Sequence, residues 1–152
     1  MQLVIVSFMV KSSVRFGYAD RALALKGKRA LQQFVGELVR KESGKACELQ
    51  YVFCSDEYLH KMNVSYLNHD DYTDIITFDL SDSTDKHILG EIYISVERVK
   101  ENGKKLGTGF ESEILRVIFH GALHLCGYKD KSKVDKAVMR SKEDEWLALF
   151  AK

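Results

Sequence analysis

Apolar positions along the chain follow two rhythms, a period of two and a period of three to four, and these predict its elements. The opening run MQLVIVSFMV, rich in Val and Ile and about ten residues long, reads as a buried strand. Residues 11–26 carry no clear period and read as a loop or a short turn of helix. From Gly27 to Lys41, the residues Ala30, Leu31, Phe34, Val35, Leu38 and Val39 recur at three and four, an amphipathic helix. ACELQYVFCS (46–55) reads as a strand. Ser55 then caps a helix whose first turn holds Asp56 and Glu57, favourable at the positive end of the helix dipole. That helix carries Leu59, Met62 and Asn63 towards Tyr66.

NHDDYT (68–73) is turn-like, DIITFDL a β-branched and aromatic strand, SDSTDKH a polar loop, and LGEIYIS another strand. A helix follows from Val96 to Leu106 with Ser95 as its cap. Thr108 and Glu111 have the spacing of a capping box and open a helix running to Cys126, with Gly127 placed to end it. Ser132 and Asp135 repeat that signature before a final helix reaching Phe150. The expected architecture is α+β: a small, mostly mixed sheet packed with several helices, one domain over residues 1–152.

Charge narrows the function classes. The chain carries 23 Lys and Arg against 22 Asp and Glu, so any contact with RNA must come from local clustering. Three widely spaced cysteines, Cys47, Cys54 and Cys126, without a CxxC pair, argue for reduced thiols and a cytoplasmic setting. No segment approaches the roughly 18 to 20 apolar residues that span a bilayer, so no membrane partner is expected. The opening apolar run lacks a basic flank and a small-residue cleavage site, unlike a signal peptide.

The densest chemistry lies in HGALHLCGYKD, residues 120–130. His124 follows His120 by four positions, about 40° round a helix, so both imidazoles project from one face a turn apart. Gly127 lies where the helix must stop and can take a left-handed conformation, letting Asp130 return towards the imidazoles. His120, His124 and Asp130 are therefore the expected metal ligands, with room left for a water. Cys126 falls about 240° round, away from that face, and reads as a core residue. Ile114, Ile118, Ala122 and Leu125 cover the opposite face, which makes the helix internal and opens the histidines into a cleft. Glu113 lies about 10 Å along the axis, too far to ligate, and reads as a solvated or capping charge.

Three ligands and one open position describe catalytic zinc, one ion per chain, although another divalent metal is compatible. Such an ion lowers the pKa of its water to about 7 and polarises a substrate oxygen. A zinc peptidase of this type carries a glutamate beside its first histidine, where this chain has Gly121, and that speaks against peptide hydrolysis.

At these residues the chain resembles a known family. HGALHLCGYKD is similar to the HGxLHLxGYDH signature of the YbeY family of metal-dependent endoribonucleases. TDIITF (73–78), ten residues after Asn63, is similar to that family's TDVLSF strand, and GEIYIS (90–95) to its GDIxIS strand. The likeness runs from about residue 50 to 150 in the family's order and spacing. It implies an α+β domain with a metal cleft between helices and sheet. The implied activity is cleavage of single-stranded RNA, in small-subunit rRNA 3′-end processing and ribosome quality control. It carries the first two ligands onto His120 and His124, and the third, usually a histidine, onto Asp130. The family's Asp-His pair is Lys129-Asp130 here, and an arginine expected from the family to meet the RNA phosphate is replaced by Leu67.

Residues 129–142 hold Lys129, Lys131, Lys133, Lys136, Arg140 and Lys142 against Asp130 and Asp135. Beside a metal cleft such an excess attracts a phosphate backbone, with Lys129, Lys131 and Lys133 as the expected RNA contacts. Asp74 and Thr77 on the DIITFDL strand are the cleft-facing candidates for catalysis; no general base is singled out. The partners expected are rRNA and the small ribosomal subunit. A ribosome-assembly factor with a structural metal is the alternative function, and a zinc metalloprotease the weaker one.

Overall fold

The computed structural model describes residues 11–82 and 84–152; the strand expected over residues 1–10 lies outside them. In chain order the elements are β1 (Ser13–Tyr18), α1 (Lys28–Ser43), β2 (Ala46–Cys54), α2 (Asp56–Leu67), β3 (Ile75–Asp79), β4 (His87–Ser95), α3 (Val96–Leu106), α4 (Phe110–Leu125) and α5 (Lys133–Phe150). The architecture is α+β, as the hydrophobic pattern implies. The sheet order is β1-β2-β4-β3; β1 and β2 run parallel, as do β2 and β4, and β3 closes the edge antiparallel to β4.

Register and alternation put one apolar row on each face. Cys47, Leu49, Tyr51 and Phe53 of β2 lie opposite Ile88, Gly90, Ile92 and Ile94 of β4, and this face builds the main core with α1 and α4. A smaller cluster of Cys54, Leu59 and Ile76 forms under α2 on the other face, with Met62, Phe78 and Tyr93 around it.

Two local expectations are corrected. The stretch assigned to loop contains β1, in which Val14, Phe16 and Tyr18 alternate with Ser13, Arg15 and Gly17. Its period of two is only six residues long, and as a half-buried strand at the edge of the sheet among the described residues it lacks a continuous apolar run. Thr108 does not cap α4. That helix starts after Gly109 with no side-chain cap, because the Thr108 and Gly109 amides turn back to the Gly103 carbonyl at the end of α3. Ser55, Ser95 and Ser132 do cap their helices, accepting from the amides of Tyr58, Arg98 and Asp135.

The central helix α4 is pinned to the sheet at two points. The buried Tyr51 hydroxyl donates to the Ile118 carbonyl at 2.7 Å. One turn later Gly121 lies so close to the sheet that a Cβ there would come within 2.9 Å of Ile92 Cγ2 and 3.1 Å of Ile75 Cδ1. This approach leaves His120, one residue earlier, directed into the gap between α4, α5 and the β3 edge.

Candidate active site

His120 stands between two carboxylates. Its Nδ1 is 2.7 Å from Glu143 Oε2 on α5, and its Nε2 is 3.2 Å from Asp130 Oδ2 in the turn between α4 and α5. A carboxylate accepts, so the imidazole donates from Nδ1 to Glu143. His124 presents a parallel ring, 7° from that of His120 with centroids 6.4 Å apart, and donates from Nδ1 to the Tyr128 carbonyl at 2.9 Å. Because a carbonyl can only accept, the lone pair of His124 is left on Nε2.

The turn that carries Asp130 is built for this. Gly127 takes φ 105°, a conformation that disfavours a Cβ, and the chain reverses immediately after α4. Tyr128 then locks it: its hydroxyl donates to Glu42 Oε1 on α1 at 2.6 Å. The second oxygen of Glu42 accepts from Trp146 Nε1 at 2.8 Å and Lys142 Nζ at 3.2 Å on α5. One half-buried carboxylate thus ties three segments of the chain together. Burial works to raise the Glu42 carboxyl, but these hydrogen bonds outweigh it and hold it below its ordinary 4.5.

Beside His120 opens a polar cleft of about 310 Å³. Four carboxylates face it, Asp74, Glu113, Asp130 and Glu143, with two guanidinium groups, Arg116 and Arg140. Arg116 is held by Glu143 Oε1 at 2.9 Å and Asp144 Oδ1 at 2.7 Å. Burial pushes the Asp74 carboxyl up, with the positive character of His120 opposing. Burial also raises Glu113, against the pull of Arg116. For His120 the sign is opposite: burial works to lower it, but the hydrogen bond and charge of Glu143 prevail and hold it above 6.5.

His120, Asp130 and Asp74 therefore share one cleft. His124 is exposed one turn along α4, and Thr77 is half-buried on β3 opposite Ile92. Lys129, Lys131 and Lys133 are exposed on the turn and the start of α5, whereas Lys136 and Arg140 line a smaller cavity of about 210 Å³ against His120 and Asp130. Among the described residues, no three His, Cys, Asp or Glu side chains close round one point as a formed metal centre. Leu67 is exposed at the end of α2.

Glu113 is corrected: it is 6% exposed inside the cleft, not a solvated or capping charge. Position 121, where a zinc peptidase would carry its base, has no space for a side chain. Sequence reasoning missed Glu143 and Arg116. The available signal for Glu143 was its place on the buried stripe of α5 between Met139 and Trp146, where a carboxylate needs partners.

Comparison with known proteins gives the class first. The fold matches the solution structure of TM1509 from Thermotoga maritima with a TM-score of 0.61 and 28% identity, over 88% of this chain and 86% of that one. A protein of Flavobacterium johnsoniae named Endoribonuclease YbeY is 47% identical over 137 residues, 90% of this chain and 96% of its own length. Another of that name, from Christiangramia forsetii, is 40% identical over 142 residues, 93% of this chain and 97% of its own. The class is thus an α+β hydrolytic nuclease. Residues 19–151 match the family described as endoribonuclease YbeY, and the chain belongs to that family. Among the described residues, no helix is long and apolar enough to cross a membrane.

Proposed function

We propose that this protein, as one hydrolase domain over residues 1–152, is a metal-dependent endoribonuclease. Its substrate is single-stranded RNA, in small-subunit rRNA 3′-end maturation and ribosome quality control in the cytoplasm. The observation that carries this reading is the oriented His120, held by buried Glu143 on one nitrogen and facing Asp130 with the other, in a chain of this family. Free cysteines, two of them buried, suit a reducing compartment.

The donor chemistry of His120, His124 and Asp130 fits a zinc ion. Both imidazoles donate from Nδ1, which leaves Nε2 on each for ligation. Asp130, 3.2 Å from His120 Nε2, supports this reading by adding negative charge where a cation would sit. What zinc supplies when bound is Lewis acidity, which polarises a phosphoryl oxygen and acidifies water.

The chain's own residues do the rest. Glu143 and the Tyr128 carbonyl hold the two rings in one tautomer. Asp74 and Glu113, pushed up by burial, are the groups assigned to holding a proton near the reacting phosphate. Lys129, Lys131 and Lys133 draw in the RNA backbone from solvent.

The test is incubation of purified protein with labelled single-stranded RNA, with chelator and after zinc is restored. Cutting that stops on chelation and returns with zinc is expected. Retained cutting by chelated, still-folded protein defeats the metal dependence, and no cutting under any metal defeats the endoribonuclease reading.

A further inference from the structure

Resting on that RNA-cleaving reading, we propose that Arg140 is the guanidinium that receives the scissile phosphodiester in the cleft. A phosphodiester is an anion, and the cleft presents it with four carboxylates, Asp74, Glu113, Asp130 and Glu143. Beside any bound metal, a cation supplied by the chain inside the cleft lowers the electrostatic cost of bringing that anion in.

The cleft has two guanidinium groups, and they differ in what they already hold. Arg116 is half-buried and gives one nitrogen to Glu143 and another to Asp144, so its donors and its charge are committed to α5. Lys142, further along the same basic stretch, is turned towards α1 and pairs with Glu42 and Glu145. Arg140 is exposed and has no hydrogen bond or ion pair among the described residues. Its charge acts across the cleft on Glu113, opposing the rise that burial gives that carboxyl.

Its place is also specific. Arg140 lines both cavities that open on His120 and Asp130, the larger with Asp74 and the smaller with Lys136. It precedes Glu143 by three residues, so the two side chains project from neighbouring positions on α5. Glu143 orients His120 while Arg140 remains free beside it, and a planar fork can take two phosphate oxygens at once. Lysine cannot reproduce that fork, which separates Arg140 from the exposed lysines of the turn.

The experiment measures binding of a fluorescein-labelled single-stranded RNA oligonucleotide across a salt series in chelator, and its cleavage with zinc restored. Variants Arg140→Ala and Arg140→Lys are compared with Lys104→Ala, an exposed α3 lysine that lines neither cavity. Arg140→Ala is expected to bind about tenfold more weakly. Its salt slope should fall by about 0.7, the value for one phosphate contact on a single strand. Arg140→Lys is expected to keep the wild-type salt slope yet lose kcat/KM, because charge remains and the fork does not. Lys104→Ala should match wild type. If wild type cuts the RNA and Arg140→Ala binds and cuts equally well, or loses no more than Lys104→Ala, the assignment is overturned. A wild type that neither binds nor cuts RNA defeats the endoribonuclease reading itself, and this inference with it.

Discussion

Glu143 on α5 joins two side chains of α4 through one carboxylate, with Oε2 2.7 Å from His120 Nδ1 and Oε1 2.9 Å from Arg116. The group is 6% exposed, so both partners depend on it in a place water barely reaches. Glu143→Ala should destabilise the fold by about 3 kcal/mol, because it leaves His120 Nδ1 without its acceptor and strips half-buried Arg116 of one of its two carboxylates. Glu143→Gln should cost less but weaken zinc binding on the order of tenfold to a hundredfold, as loss of a carboxylate behind a ligating histidine does. Denaturant unfolding and zinc titration read the two effects separately. Wild-type affinity in Glu143→Gln would show that the carboxylate does not serve the metal.

Gly121 gives a test of how tightly α4 rides on the sheet. Alanine favours the helix by about 1 kcal/mol over glycine. Against that, its Cβ would enter a gap 2.9 Å from Ile92 Cγ2, and Ile92 is fully buried. Overpacking of that kind costs about 1–3 kcal/mol, so Gly121→Ala should be net destabilising. A raised melting temperature for that variant would mean that α4 can lift from β3 and β4 freely.

Acid should act through Glu42. Its carboxyl lies below 4.5 in the folded protein despite burial, held by Tyr128, Trp146 and Lys142. A depressed folded-state pKa contributes stability that is complete above the unfolded value and lost as pH falls through the folded one. Stability should therefore fall below about pH 4.5, and Glu42→Gln should show a shallower fall there with lower stability at neutral pH. Melting curves across that range decide it, and identical slopes for both proteins would remove Glu42 as the group responsible.

Metal content tests the ligand assignment without any assay of activity. Elemental analysis of freshly purified protein should find zinc, strongly reduced in His120→Ala and in Asp130→Ala. Equal zinc in wild type and Asp130→Ala would show that the third ligand is another residue.

Much of this molecule was legible without coordinates. The period of three to four between Gly27 and Lys41, the alternation in ACELQYVFCS and the serines at 55, 95 and 132 define elements locally, because each depends on residues within a turn or two. The spacing of His120, His124, Gly127 and Asp130 is local in the same way, so their juxtaposition on one helix and its following turn could be read from the chain. What remained hidden depends on which surfaces meet. Short β1 carries too few residues for its alternation to stand out, and becomes a strand by pairing along β2. Thr108 has a capping spacing but yields to the tight α3–α4 connection.

The chain alone determined the α+β class, the helix that bears the histidines and the turn that returns Asp130, since periodicity, capping and glycine placement act over a few residues. Only tertiary packing decided the composition of the cleft. Glu143 and Arg140 come from α5, Arg116 from α4 and Asp74 from the start of the β3 segment, and whether a charged side chain there is buried, paired or free is set by the neighbour across the gap.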